Sequence, residues 1–465
     1  MIERIIGDGV SNLVPGNRWD LLPAVARPLR HPEVSVCIPT RNGGRSVVRT
    51  LSMLALQSYP MSRIEVVVAD DGSDPPFSFD AASVPYELRV VRQDASGFGA
   101  GRARNLAAAS ASGSVLVLLD ADVIPEPTVI EQYVDWVGRS SLCVPFGFNR
   151  FVDLTALADE QLARGIRTGS VEQLVDADDL DSQNYREPYL RATSDLTDER
   201  LDLFRVFVAA TFAVDAEFFS EVGGFRELGV RGVEDVELGY RLANRGAVLV
   251  PVRSAQHWHQ GRRTMSGDRI EAIRHRRQPY VERLLPVGGF RGVEPLGPGP
   301  VESVCRFVAH VDGSTEAGSV TVRSLLEMPP EEVQVADRSR PAQMHAFADV
   351  FLPGDVSWTH RTGSLLLDVF ERTGAGTIKL VRDDRAPILV RRRRAANRTG
   401  VASSTATNEL AEQLFGVAAV LAEDVDLGTS SAPGQHRHRK FDRGRIGPWW
   451  RRLRRSIDRG AVETT

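Results

Sequence analysis

Three short runs, Val34 to Ile38, Ile64 to Ala69 and Val115 to Leu119, are apolar at nearly every position, with helix-spaced segments between them. A strand with no polar face has no side to offer to water. Such runs, alternating with helices, therefore require an α/β fold built on a mostly parallel sheet covered on both faces. Val47, Val48, Leu51, Leu54 and Ala55 recur at helical intervals, Leu88 to Val91 reads as a further strand, and the Ala-rich stretch Gly99 to Ser112 reads as a helix ended by Gly113. In sheets of this kind ligands sit beyond the carboxyl ends of the strands. Two of the strands end in carboxylates, at Asp70-Asp71-Gly72-Ser73 and at Asp120-Ala121-Asp122. One aspartate after a strand commonly caps the next turn; two clusters at two strand ends point to a binding site.

Composition narrows the partners. The 465 residues are 42% hydrophobic and 25% charged with a formal net charge of −4, a globular balance that offers no general attraction to a nucleic acid. Cys37, Cys143 and Cys305 show no C-x-x-C spacing, which leaves neither a disulfide framework nor a zinc knuckle. No run approaches the roughly 18 apolar residues of a membrane span, and the opening residues carry Glu3, Asp8 and Asp20 without an apolar core. The expectation is a cytoplasmic protein. Residues 436–465 hold ten Arg or Lys against three Asp or Glu, and Trp449-Trp450 stand beside four arginines, as in a short interfacial segment for the inner membrane face. A disordered basic terminus is the plainer reading. All but Lys379 and Lys440 of the 57 basic residues are Arg, a coding bias that also discounts the run Arg391 to Arg394.

Punctuation divides the chain. Residues 1–32 read as an irregular lead-in broken by prolines, 33–285 as a catalytic domain, 286–300 as a Pro- and Gly-rich linker, 301–430 as a smaller α/β domain and 431–465 as a basic tail. Within the large domain, 33–125 reads as a first half, 150–200 as an acidic helical excursion or lid, and 203–265 as a second half. Ser303 to Ser339 tracks Ser35 to Ser73, with Cys305 matched to Cys37, so the smaller domain reads as a degenerate repeat of the first fold without the paired aspartates.

Asp120 and Asp122 place two carboxylates two residues apart where an apolar strand runs out. Hard divalent cations take such oxygens and leave positions for substrate phosphates. Val233 to Leu238 opens a helix, with Glu234 and Asp235 in its first turn, ending at Gly246; a helix start suits a carboxylate whether it caps or catalyses. After the strand Ala247 to Val252, His257 and His259 are spaced to point the same way in extended chain. Imidazole beside carboxylates favours Mn²⁺ over Mg²⁺. Gly97-Phe98-Gly99-Ala100-Gly101 fails the dinucleotide pattern because position 104 is Arg, and Trp258 reads as core before it reads as a sugar platform.

Val34 to Thr40, Asp70 to Ser73, Ala103-Arg104-Asn105, Asp120 to Asp122 and Glu234-Asp235, in this order, resemble the family 2 glycosyltransferases with the GT-A fold. Gly223-Gly224-Phe225 through Arg241 looks most like chondroitin-polymerase-type and polypeptide N-acetylgalactosaminyltransferase-type enzymes. The resemblance covers residues 33–265. It implies that Pro39 and Thr40 line a nucleotide pocket, that Asp70 or Asp71 binds the base and ribose, and that Arg104, Asp120 and Ala121 face the nucleotide sugar. It further implies that Asp122 and His259, with Asp120 and with His257 in reserve, hold Mn²⁺ or Mg²⁺, that Asp235 is the base and that its neighbour Glu234 holds the acceptor. The expected activity is metal-dependent transfer of a sugar from a nucleotide-diphosphate donor, UDP-linked in the first instance, to a hydroxyl acceptor, with inversion. The acceptor is left open between glycan, natural-product aglycone, peptide and polyprenyl phosphate, and a nucleotidyltransferase or an inactive nucleotide-sugar-binding protein stand as alternatives.

Overall fold

The computed structural model describes residues 14–24, 31–181, 184–263, 267–292, 296–311, 313–336, 345–352, 356–359, 361–382, 385–398, 415, 417–421 and 428–429. The chain enters with β1 (Val34–Thr40), α1 (Gly44–Leu54), β2 (Ile64–Asp71), β3 (Glu87–Gln93), α2 (Ala100–Ala109) and β4 (Val115–Leu119). Side chains of β1 alternate between two cores. Val34, Val36 and Ile38 pack with Val47 and Leu51 of α1, and Cys37 packs with Ala103 and Ala107 of α2. All four are fully buried, and each Val or Ile contributes about 1.5–3 kcal/mol by leaving water. The unbroken apolar pattern is thus the signature of a strand with helices on both sides.

The chain continues through β5 (Val123–Pro125), α3 (Val129–Arg139), β6 (Cys143–Val152), α4 (Asp159–Thr168), β7 (Leu180–Asp181), α5 (Glu187–Ala192), β8 (Thr211–Asp215), α6 (Ala216–Val222), α7 (Glu234–Asn244), β9 (Val248–Gln260) and α8 (Gly267–Leu284). The sheet order is β3-β2-β1-β4-β8-β6-β9-β5, with β7 paired to β6. Strands β3, β2, β1 and β4 are parallel; β8 runs antiparallel to both β4 and β6. Strand β9 extends well past the expected Val252, because β5 pairs with its far end and sets Val123 against His259 and Pro125 against His257. The excursion is packed rather than open. Leu154, Leu162, Ile166 and Val171 bury themselves against Trp258, whose indole N–H donates to Glu126 at 2.5 Å, so Trp258 is core and not a sugar platform.

A second sheet follows, from β10 (Phe307–Val311), α9 (Glu316–Leu326), β11 (Val333–Val335), β12 (Ala348–Leu352), β13 (Val356–Ser357), α10 (Thr362–Thr373), β14 (Thr377–Arg382), β15 (Arg385–Arg392), α11 (Arg393–Arg398), β16 (Val417–Leu421) and β17 (Gly428–Thr429). Its order β11-β10-β12-β15-β14-β16 is the same permutation in chain order as β2-β1-β4-β8-β6-β9 of the first. The pairings also run parallel, parallel, antiparallel, antiparallel, parallel in both. The two sheets therefore share a topology, but the residue match that suggested a repeat is displaced. Cys37 lies inside β1 while Cys305 precedes β10, and Asp337 to Ser339 lie outside the described residues.

The arginine run discounted as coding bias, together with Arg398 just after it, joins these parts. Arg392 donates to Glu199 at 3.0 Å, Arg394 to the Ala243 carbonyl at 3.0 Å, and Arg398 to the carbonyls of Gly246 and Ala247 at 2.8 Å. All three are buried, where only such partners make a guanidinium tolerable. The lead-in is tied to the body as well, since Asn17 is fully buried and bonds both the N–H and the carbonyl of Leu249. Among the described residues no helix is long and apolar enough to cross a membrane, and the basic tail lies outside them.

Candidate active site

Strands β1, β2 and β4 end side by side, which brings Thr40, Asp70-Asp71 and Asp120 to one edge. Asp70 is fully buried. It accepts from the N–H groups of Ser73 at 2.8 Å and Phe77 at 3.0 Å and from the Arg92 guanidinium. Burial pushes its carboxyl up, but these bonds outweigh that and hold it below the ordinary value. Asp70 is therefore consumed in shaping the turn. Asp71 accepts from Gln93 at 2.7 Å and Arg102 at 3.2 Å and leans on the backbone of Gly99, where an added Cβ would fall 2.1 Å from its oxygen. That close approach is the reason for glycine in a sequence that only mimics a dinucleotide motif. The Thr40 hydroxyl is buried without a partner, beside Pro39 at the same strand end.

Helix α2 carries the next layer. Arg104 is 5% exposed and donates to Asp120 at 2.5 Å, while its Nε and second terminal nitrogen have no partner. Burial would lower its pKa; the charges of Asp120, Asp235 and Glu234 reverse this and raise it. A buried cation with two unspent donors is prepared for an anionic or carbonyl oxygen. Its neighbour Asn105 was given no role in the sequence, yet it clamps Phe225 from both sides, accepting from its N–H and donating to its carbonyl, each at 2.8 Å. A Cβ at Gly224 would meet the Asn105 oxygen at 2.6 Å, so the Gly-Gly-Phe turn and the Ala-Arg-Asn helix are one fitted unit.

That turn feeds α7. Val233 lends no side chain to the helix start; instead the Glu234 carboxylate folds back to accept from the N–H groups of Gly232 at 2.7 Å and Val233 at 2.9 Å. Asp235 follows, half-buried. Burial first, then the charge of Glu234, pushes its carboxyl up to about 7, against the opposing pull of Arg104. Two residues on, Glu237 forms a buried two-pronged pair at 2.8 and 2.7 Å with Arg241 one turn further along, and Arg241 also holds the Val222 carbonyl at 2.7 Å. Replacing Glu237 with Ala leaves that guanidinium stranded, and should lower stability by about 3–5 kcal/mol in denaturant unfolding. A loss below about 1 kcal/mol would show that the pair does not hold the helix.

At the β9 rim, His259 Nε2 lies 3.5 Å from Asp122 Oδ1. Burial and the neighbouring Asp120 raise the Asp122 carboxyl, with His259 acting against them. His257 does share that strand face but sits deeper. It is fully buried, with Nε2 2.7 Å from the Thr211 hydroxyl, which in turn meets Tyr133 at 2.8 Å, and burial lowers its pKa to about 3. His257 is a core histidine, and the reserve ligand role does not suit it. Among the described residues no three His, Cys, Asp or Glu side chains form a complete cage. Asp122 with His259 nevertheless fits a divalent cation with positions left for substrate: two ligands at ~2.1 Å and a right angle stand about 3 Å apart.

The loops 96–102 and 226–234 enclose a cleft of about 280 Å³ lined by Phe98, Gly99, Arg102, Arg226, Gly229 and Glu234. Phe98 bridges to Gly229 across it. Strand-end carboxylates, a buried arginine with two unspent donors and a helix-start acid thus lie along one edge of the mostly parallel α/β sheet.

Residues 35–161 match the family model described as Glycosyl transferase family 2. Chondroitin synthase of Pasteurella multocida (strain Pm70) is 28% identical over 243 residues, 49% of this chain and 24% of that protein. Validoxylamine A glucosyltransferase of Streptomyces hygroscopicus subsp. jinggangensis (strain 5008) is 32% identical over 245 residues, 48% of this chain and 54% of that protein. The chain thus spans between a quarter and about half the length of these relatives. Among solved structures, mannosyltransferase PcManGT from Pyrobaculum calidifontis, in complex with GDP-Man and Mn²⁺, is 20% identical with a TM-score of 0.37, covering 61% of this chain and 70% of that one.

Proposed function

We propose that this chain is a glycosyltransferase that moves a sugar from a nucleotide-diphosphate donor, UDP-linked in the first instance, to a hydroxyl acceptor by direct displacement with inversion. The observation that carries the reading is Arg104, buried with two unspent donors and set in the field of Asp120, Glu234 and Asp235. Pro39, Thr40 and Asp71 line the nucleotide side, with Asp70 bracing the turn beneath them. Arg104, Asp120 and Ala121 face the donor sugar and its phosphates. Asp122 and His259 would hold Mn²⁺ or Mg²⁺, which when bound neutralises charge on a departing diphosphate. Asp235 takes the proton of the attacking hydroxyl, a poor nucleophile until that proton is shared. Glu234, tied to the turn beneath it, faces the acceptor.

A panel of nucleotide sugars with Mn²⁺, followed for UDP or GDP release, tests the reading. Turnover of one of them supports it; binding of UDP with no turnover of any would make the chain a nucleotide-sugar-binding protein. The pH dependence has a definite sign. A base raised to about 7 is protonated and idle below that value, so kcat/KM should climb as pH rises through it and level off above. A profile that is flat from about pH 5.5 to about pH 8.5, or that falls, would remove Asp235 from the role.

A further inference from the structure

An imidazole that holds a cation needs its plane fixed, and the usual device is a hydrogen bond from its second ring nitrogen to a carboxylate, carbonyl or water. His259 has no such bond. Among the described residues its Nδ1 is buried without a partner, while Nε2 lies 3.5 Å from Asp122 Oδ1. What meets the ring instead is Phe151, tilted 30° from it with centroids 4.4 Å apart. The Arg263 guanidinium lies over the same phenyl ring, 4.3 Å from its centroid. Asp181 accepts from Arg263 at 2.8 Å and sets where that guanidinium stands.

These contacts follow one line across the sheet. Asp181 of β7 is opposite Phe151 of β6, Phe151 is opposite His259 of β9, and His259 is opposite Val123 of β5, the residue after Asp122. Backbone pairing fixes the spacing of the row, and Gln260 N–H holds the Asp122 carbonyl at 2.8 Å beside it. Asp181, at the far end, belongs to the acidic excursion, so that segment reaches the rim that carries Asp122. We propose that Phe151 is a positioning residue for the cation site: braced by Arg263 and, through it, by Asp181, the phenyl ring holds the plane of the His259 imidazole so that Nε2 stays turned to Asp122. An aromatic face suits the task because it constrains a ring's tilt, and a guanidinium over the phenyl keeps the phenyl itself from turning. The inference rests on the reading of Asp122 and His259 as cation holders and adds the residue that keeps one of them in place.

The experiment is titration calorimetry of Mn²⁺ into the full chain saturated with UDP, and of UDP without metal. It compares Phe151→Leu, Phe151→Tyr, His259→Ala and the chain carrying both Phe151→Leu and His259→Ala. Leucine keeps an apolar side chain but has no flat face, so Mn²⁺ affinity should fall about tenfold or more, as when a group that orients a ligand is removed. Tyrosine keeps the face and should stay within about twofold, and metal-free UDP affinity should move no more than that in any variant. In the His259→Ala chain, where Asp122 and the UDP phosphates remain to hold Mn²⁺, Phe151→Leu should cost nothing further. Unchanged Mn²⁺ affinity in Phe151→Leu, an equal loss in Phe151→Tyr, a matching loss of metal-free UDP binding, or a second loss on top of His259→Ala overturns the positioning role. Full Mn²⁺ affinity in His259→Ala, or no Mn²⁺-dependent UDP binding by the unaltered chain, overturns instead the cation reading beneath it, and is seen before any Phe151 variant is made.

Discussion

Asp235→Asn should slow sugar transfer by about 10²–10⁴-fold and leave nucleotide-sugar binding in place. Asn keeps the shape and the ability to accept from the Ala209 N–H but cannot take a proton. The same change has a separate signature in stability. The folded carboxyl, at about 7, titrates above its ordinary value of 3.8, so its contribution is fully present at low pH and is lost as pH rises through 7. Asn cannot ionise, and the variant should keep its melting temperature from about pH 4 to about pH 7, the window in which the parent chain declines. A variant that transfers sugar at the parental rate, measured by single-turnover product formation with donor saturating, would show that another group accepts the proton.

Asp122→Ala should act on the opposite step. Loss of a group that merely orients a metal ligand costs about 10- to 100-fold in affinity, so loss of a ligand should weaken metal-dependent donor binding by about a hundredfold or more. Its side chain is 41% exposed, and the backbone around it is held independently, by Gln260 N–H on its carbonyl at 2.8 Å, so the fold should survive. Titration calorimetry of UDP with and without Mn²⁺ separates the two variants. Equal loss of Mn²⁺-dependent binding in both would contradict a division between cation holder and base, and unchanged binding in Asp122→Ala would place the cation elsewhere.

Much of the first sheet was legible because its strands obey a strong rule: with helices on both faces there is no polar side, and Val34 to Ile38 or Val115 to Leu119 can be read directly. Strand ends then located the carboxylates. What failed to show was everything that depends on which side chain already has a partner. Asp70 and Asp71 look alike in sequence, yet Arg92, Ser73 and Phe77 absorb the first, while the second faces Gly99. His257 and His259 share a strand face, and only the depth set by β5 and Thr211 separates a core imidazole from one beside Asp122. Asn105 stood in the Ala-Arg-Asn motif without a role, because its partner is a backbone turn 120 residues away. The arginines around α11 were obscured by a chain that uses arginine nearly everywhere.

Periodicity and the placing of aspartates after apolar runs were enough to determine a doubly covered sheet and the edge at which its carboxylates gather, since both follow from local burial and from chain direction. The tertiary structure alone decided that Arg104 keeps two donors unspent, that burial and Glu234 raise the Asp235 carboxyl, and that the second sheet copies the topology of the first. The reason is physical: protonation, desolvation and hydrogen-bond satisfaction are properties of neighbours, and neighbours are chosen by the fold and not by adjacency in the chain.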